Sequence, residues 1–543
     1  MPITGSGDRE LPATQRWYEE RTVVAGKPTQ AVGEHVDRTE EDGGQPPPSD
    51  AAPVAPASGA HPGRPDGRPV VLVGYAVLLA AAVVAFGIDP VFGVIAGALN
   101  VVFALYFFRH LAFAVAAARW AGADLLAADV DLEGYTPSVA VFVGCKNEEL
   151  VVDGMITALL ALEYPADKLT LVVVDDGSAD STGERLDAWA QVEPRLRVLH
   201  RPPGAGGGKS GALNEALRTV DAEVVLVFDA DHEPDPNALR RLVRHFRDPA
   251  VGAVMGRCVI RNGHDSSLAS VVFVDYLSGY LVNEYGRQAM FELPAYGGAN
   301  CAVRMSTLRA LGGWNPNTVT EDTDLTLRVL LSGQRVRYDV SAVDYEEAVV
   351  TARRFWTQRY RWARGHQKCM RDYWRPVLRS RHLTVLEKAE SMMFLLTYHV
   401  PVLSGIGLAL TVLRAFGIGD LPLIGLLPLS MLLFVGPLAE LSVGLLVSRV
   451  ERRAAWQLIG FLPSFALSIW ITSRAYLDGM LGRPYTWVKT SRSGATSTLA
   501  RTPAPAPAAA PAAAPAARVQ PRSFAAAAAA TGTGPATVVD HDG

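Results

Sequence analysis

Asp229 and Asp231 lie one residue apart in Phe-Asp-Ala-Asp-His and directly follow five apolar residues, Val224 to Phe228. Charge placed beside a buried strand costs free energy and calls for a compensating role. Two carboxylates at a strand end can face one side and hold a divalent cation, since Mg2+ typically takes one or two carboxylates and fills its shell with phosphates and water. Asp176, in Val-Asp-Asp-Gly-Ser, stands in the turn leaving another apolar run. It is either part of a plain Asp-Gly turn or a carboxylate that accepts hydrogen bonds from a nucleotide base or ribose. Asp322 follows Thr320 and Glu321 and precedes the helical pattern from Asp324 to Arg328. There it serves as a capping carboxylate at a helix N-terminus, or as a general base that takes a proton from an attacking hydroxyl.

After 35 intervening residues comes Gln358-Arg359-Tyr360-Arg361-Trp362. Gln358 and Arg361, three apart, share a helical face. Arginine suits diphosphate oxygens and tryptophan suits a sugar ring. The same composition also suits a basic aromatic helix lying at a membrane surface.

The elements that must position these residues are legible as runs. Ser138 to Gly144, Leu171 to Val174, Val224 to Phe228 and Val251 to Met255 read as buried strands with helical stretches between them, which predicts a mostly parallel α/β sheet over about 136–345. In such sheets ligands bind beyond the carboxyl ends of the strands, where Asp176 and Asp229 fall. Gly208-Lys209-Ser210 ends like a triphosphate-binding loop, but the place of that pattern's first glycine holds Pro203.

The ordered set of motifs resembles the processive family-2 glycosyltransferases, the membrane synthases of cellulose, chitin, hyaluronan and poly-N-acetylglucosamine. The resemblance covers roughly residues 70 to 492. It implies a GT-A type nucleotide-sugar-binding domain resting on an α-helical transmembrane bundle, a UDP-sugar donor, Mg2+ or Mn2+ as cofactor, and a β-linked polysaccharide product leaving through the bundle. By the same resemblance Asp322 is the catalytic base and Asp229 with Asp231 holds the metal. Asn147, Glu148, Asp176, Lys209, Asp229, Gln358 and Arg361 contact the donor, with Lys146-Asn147-Glu148-Glu149 as the first nucleotide-contacting turn and Gly208 to Asn214 matching a Gly-Lys-x-Gly-Ala-Leu-Asn element. Trp362 and Glu321 fall at the acceptor. Tyr296-Gly-Gly-Ala-Asn300 lines the acceptor site or is an ordinary glycine turn.

The remainder of the chain concerns the membrane. Val70 to Ile88 and Val91 to Phe108 carry no charge and approach the roughly 20 residues of a bilayer-crossing helix. They predict a transmembrane hairpin turning at Asp89-Pro90, within 69–118. Arg64, Arg68, Arg109 and Arg119 at its outer ends place both flanks, and the catalytic domain, on the cytoplasmic side. Interfacial amphipathic helices are expected over 346–390, and further apolar runs over Ser391 to Leu413, Leu421 to Val447 and Ala454 to Thr472, with Pro463 suiting a break in the last. Positive charge on both sides of that run leaves its crossing undecided. Residues 1–68 and 493–543, rich in Pro, Ala and Gly, are expected to be disordered tails.

A net charge of −4 over 543 residues gives no reason to expect a nucleic-acid partner. Four well-separated cysteines fit neither a disulfide framework nor a zinc site. Two other roles use the same motifs or membrane runs: transfer of a single sugar to a lipid or lipid-linked acceptor, and an inactive scaffold in a polysaccharide export complex. The intact aspartates and Arg361 argue against the scaffold.

Overall fold

Strand β1 (Val139–Cys145) is buried on both faces, which is why it reads as a continuous apolar run and not an alternating one. Val139, Val141 and Val143 enter one core, whereas Ala140 and Phe142 enter the other. In this computed structural model, the described residues are 68–126, 134–263, 265–295, 297–418, 435–448, 460–483 and 485. The expected tails at 1–68 and 493–543 lie outside them, apart from Arg68, which begins a helix; Tyr296 and residues 421–434 of the Leu421 to Val447 run also lie outside.

Eight strands form one sheet in the order β3-β2-β1-β4-β7-β6-β8-β5. The others are β2 (Leu169–Asp175), β3 (Leu196–His200), β4 (Val224–Asp229), β5 (Glu233–Pro234), β6 (Val251–Ile260), β7 (Cys301–Arg304) and β8 (Arg335–Glu346). The four expected strands are present as β1, β2, β4 and β6. The β3-β2-β1-β4 half is parallel. Beyond it β7 runs antiparallel to both β4 and β6, so the sheet is mixed and not mostly parallel throughout. The chain leaves β1 for β2 on one side and later returns to β4 on the other. That reversal opens a crevice at the carboxyl ends of β1 and β4.

Helix α1 (Arg68–Phe86) is followed by α2 (Ile88–Ala116), with Gly87 alone between them at φ +83. The break is therefore at Gly87, and Asp89-Pro90 sits in the first turn of α2, where proline has no helical hydrogen bond to lose. On the catalytic side are α3 (Gly208–Thr219), α4 (Tyr285–Phe291) and α5 (Glu321–Leu331). Next comes α6 (Ala352–Arg379), 28 residues long, carrying Gln358 to Trp362. The later helices are α7 (Val385–Leu396), α8 (Val400–Ala415), α9 (Gly436–Ser448) and α10 (Phe461–Met480).

The run from Ser391 to Leu413 is not one straight span: α7 and α8 meet at a bend of 67°. Pro463 occupies the first turn of α10, and residues 449–459 before it lie outside the described residues. Among the described residues one helix, Ile88–Leu125, is long and apolar enough to cross a membrane, or two if the bent pair counts as one span.

Candidate functional site

The crevice is assembled from turns that the sheet holds rigidly. At the end of β2, Asp176 takes an ion pair from Arg201, and Lys146 donates to its backbone oxygen at 2.8 Å. Gly177 adopts φ +68, and a Cβ there would lie 2.7 Å from the backbone of Pro203, so this turn requires glycine. The turn after β1 is laced to the turn after β2: Asn147 accepts from the Ala179 N–H at 2.7 Å, while the Asn147 and Glu148 N–H groups donate to Ser178 and Thr182 at 2.8 and 2.7 Å. Asn147, Glu148 and Asp176 therefore lie along one rim.

The residues from Gly208 to Thr219 are helix. The Lys209 ammonium in the first turn of α3 pairs with Asp229, donates to the Gly298 carbonyl at 2.6 Å and lies 3.6 Å from Glu321. Burial opposes its charge, but Asp229 and then Glu321 outweigh burial and hold its pKa above the ordinary lysine range. Lys209 thus draws the end of β4 and the start of α5 to one point.

Asp322 and Asp324 share the first turn of α5 but live differently. Asp324, 2% exposed, is fully engaged by Arg328 at 2.7 Å, Tyr373 at 2.8 Å and Asn315 at 3.0 Å. Asp322 accepts only a near-neighbour N–H, from Thr323 at 2.6 Å, among its described hydrogen bonds. Burial first, and then the adjacent Glu321 carboxylate, raise its pKa to about 6, against the Thr323 N–H and the cations Lys209 and Arg361. A carboxylate with that pKa is largely ionised at neutral pH yet basic enough to take a proton.

Helix α6 reaches this point because of Gly365. A Cβ there would lie 2.3 Å from Thr320, the residue that precedes α5. This close approach brings Arg361 within electrostatic range of Asp322. Gln358 is 5% exposed, and its Oε1, like Arg361 Nε, meets no hydrogen-bond partner among the described residues. Trp362 lies under the guanidinium of Arg359 at 4.6 Å. On its far side α6 is tied to α10, with Tyr360 donating to Asp478 at 2.9 Å and Gln367 to the Thr472 carbonyl at 3.2 Å. Its polar residues thus serve protein contacts with α10 as well as the crevice.

Asp231 is 8% exposed, beside Asp229 at the end of β4. The sequence reading gave no role to His232, which is buried under this pair. Its Nε2 lies 4.0 Å from Asp229 and 2.9 Å from Glu346, and its Nδ1 bonds Asp344. Burial would lower the imidazole pKa, yet Asp344 and Glu346 hold it well above the ordinary value. Only the position of His232, next in sequence to Asp231, hinted at this. Arg201 and Glu346 were also passed over, because their partners are distant in sequence.

Two donor sets for a metal lie here. The carboxylates of Asp229 and Asp231 are hard oxygen ligands of the kind Mg2+ and Mn2+ accept. His232, Cys258 and Glu346 place donor atoms within 4.8 Å of one another, but a histidine bonded at both nitrogens has no lone pair to give, and a thiol is a soft ligand. The first set fits a hard cation and the second does not.

Residues 140–312 match the family model described as Glycosyl transferase family 2. The chain carries a family-2 glycosyltransferase domain. The glycosyltransferase match covers the rim, Lys209 and Asp229 with Asp231, and stops before Asp322. The domain's α/β fold is built on a mixed sheet. The β-monoglucosyldiacylglycerol synthase of Synechocystis is 39% identical over 256 residues, 46% of this chain and 52% of that protein. The poly-β-1,6-N-acetyl-D-glucosamine synthase of Staphylococcus epidermidis is 27% identical over 250 residues, 46% of this chain and 59% of that one. The chain spans about half the length of the curated relatives it matches. Among solved structures, a mannosyltransferase of Pyrobaculum calidifontis, in complex with GDP-Man and Mn2+, overlaps 72% of this chain and 100% of its own at 21% identity, with a TM-score of 0.45.

Proposed function

We propose that this glycosyltransferase moves a sugar from a UDP-sugar to a hydroxyl acceptor with inversion at the anomeric carbon. The observation that carries the reading is Asp322, a carboxylate with its pKa raised to about 6, set beside Lys209 and Arg361. As general base it takes the acceptor proton while the hydroxyl attacks the anomeric carbon. Attack opposite the departing diphosphate turns an α-linked donor into a β-linkage.

The rim of Asn147, Glu148 and Asp176 holds the nucleotide. Lys209, Gln358 and Arg361 face the diphosphate, and the unmatched buried atoms of the last two gain partners there. Trp362 and Glu321 sit at the acceptor. A divalent cation on Asp229 and Asp231, Mg2+ or Mn2+, would neutralise charge on the leaving diphosphate.

The acceptor is presented at a membrane. Val94, Val101, Leu105, Phe108 and Val115 of α2 are all more than half exposed, an apolar face that water disfavours and a bilayer accepts. In this reading the protein is a multi-pass protein of the cell membrane, with residues 136–345 on the cytoplasmic side, the interfacial helices over 346–390 and the membrane region over 391–478. The product is a growing β-linked polysaccharide, extended processively and exported.

A second reading, one sugar added to a glycerolipid, is favoured by the higher identity to the glucosyldiacylglycerol synthase, 39% against 27% for the polymer synthase. The deciding experiment is UDP release by detergent-purified protein over a panel of UDP- and GDP-sugars with Mg2+ or Mn2+, with products sized. Long polymer supports the first reading and a single-sugar lipid the second. Absence of cation-dependent turnover with every donor contradicts both.

A further inference from the structure

Arg287, in α4, is 1% exposed and belongs to none of the motifs that point to the crevice. Its Nε donates to Glu390 of α7 at 3.1 Å, and Glu390, 2% exposed, receives a second, bidentate pair from Arg109 of α2 at 2.6 and 2.9 Å. A carboxylate between two guanidinium groups, away from water, fixes three helices in one geometry. The adjoining Gly286 packs so closely on α2 that a Cβ would lie 2.4 Å from Phe113. The long apolar helix is therefore seated directly on α4.

From Arg287 two branches lead to the two sides of Asp322. In one, its Nη1 lies 3.5 Å from Glu284, which accepts the Ala295 N–H at 2.7 Å, three residues before Gly298. Gly298 receives Lys209 at 2.6 Å, and a Cβ on it would lie 3.3 Å from Asp322 Oδ2. In the other branch, the Arg287 guanidinium covers the Phe394 ring at 3.9 Å, and Phe394 meets His366 edge-on at 5.9 Å. His366, stacked on Tyr398 at 4.4 Å, lies 3.3 Å from the hydroxyl of Thr323, whose backbone N–H bonds Asp322.

We propose that Arg287, clamped to Arg109 through Glu390, is a positioning residue that sets both walls around Asp322, so that turnover depends on how the apolar helix α2 is seated. The inference rests on Asp322 being the general base. Misplacement of a base by about 1 Å can cost on the order of 100-fold in rate.

The test uses the full chain, with nucleoside diphosphate release from the donor as the readout. Arg287→Lys keeps the charge but loses the planar fork and its stacking. Expected is a fall in kcat of at least about tenfold with donor KM within about twofold. Phe394→Leu and Glu284→Gln, each cutting one branch, lose less individually and together approach Arg287→Lys. A purely structural role would instead lower the melting temperature and leave kcat per folded molecule unchanged, and that result overturns the proposal. If Arg287→Lys does not fold, Phe394→Leu decides: wild-type kcat in that folded variant also overturns it. Asp322→Asn is assayed alongside, because wild-type turnover in that variant would mean that the base assignment had failed, not the positioning.

Discussion

The β1–β4 half of the sheet and the α5–α6 corner both present aspartates to one crevice, and they hold them in opposite ways. On the sheet side Asp176 is gripped by Arg201 and Asp229 by Lys209. At the corner Asp322 has another carboxylate, Glu321, as its neighbour, and its pKa rises to about 6. Paired carboxylates are suited to binding, whereas a desolvated carboxylate beside a like charge is suited to moving a proton. Residue type alone does not divide the labour; the counter-charges supplied by α3 and by the β3 end do.

The strongest way to break this contrast is Asp322→Asn, which keeps shape and removes the base. A loss of about 100- to 10,000-fold in kcat is expected, with donor KM little changed, measured as diphosphate release. Asp229→Asn attacks the other side. It should lower turnover by about 10- to 100-fold and raise the cation concentration needed for half activity, read by titrating Mg2+ or Mn2+. Gly365→Ala tests whether the corner depends on close approach. With a Cβ at 2.3 Å from Thr320, it should cost about 1–3 kcal/mol of stability by denaturant unfolding and also lower kcat. Glu321→Gln removes the like charge beside Asp322. Burial, the larger cause, remains, so the acid limb of the pH profile should move only partly down from about 6. The smallest effect belongs to the exposed pair Arg218–Glu215: Arg218→Ala should change stability by less than about 0.5 kcal/mol.

The sheet side was the more legible half. Val139 to Val143 and Val224 to Phe228 are buried on both faces, so their apolar runs stood out, and the turns after them carry recognisable spacing. β8 escaped notice because Asp339 and Asp344 interrupt its pattern; each is buried against a basic partner, Arg244 at 2.7 Å for the first and His232 for the second. β7, only four residues ending in Arg304, gave no period to read. The bend between α7 and α8 was hidden by an unbroken apolar composition, with only Pro401 to mark it. The buried cluster of Arg109, Arg287 and Glu390 joins residues up to 281 positions apart, a distance at which sequence spacing carries no signal.

The role of Asp322 as proton acceptor in the proposed cation-dependent sugar transfer is tested by the pH dependence of kcat/KM for UDP release in the wild-type protein. The sign follows from the role: the base must be ionised, so activity should fall as pH drops through about 6 and should level off above it. A profile flat across that range, or an Asp322→Asn protein that keeps both the activity and the limb, would contradict the assignment.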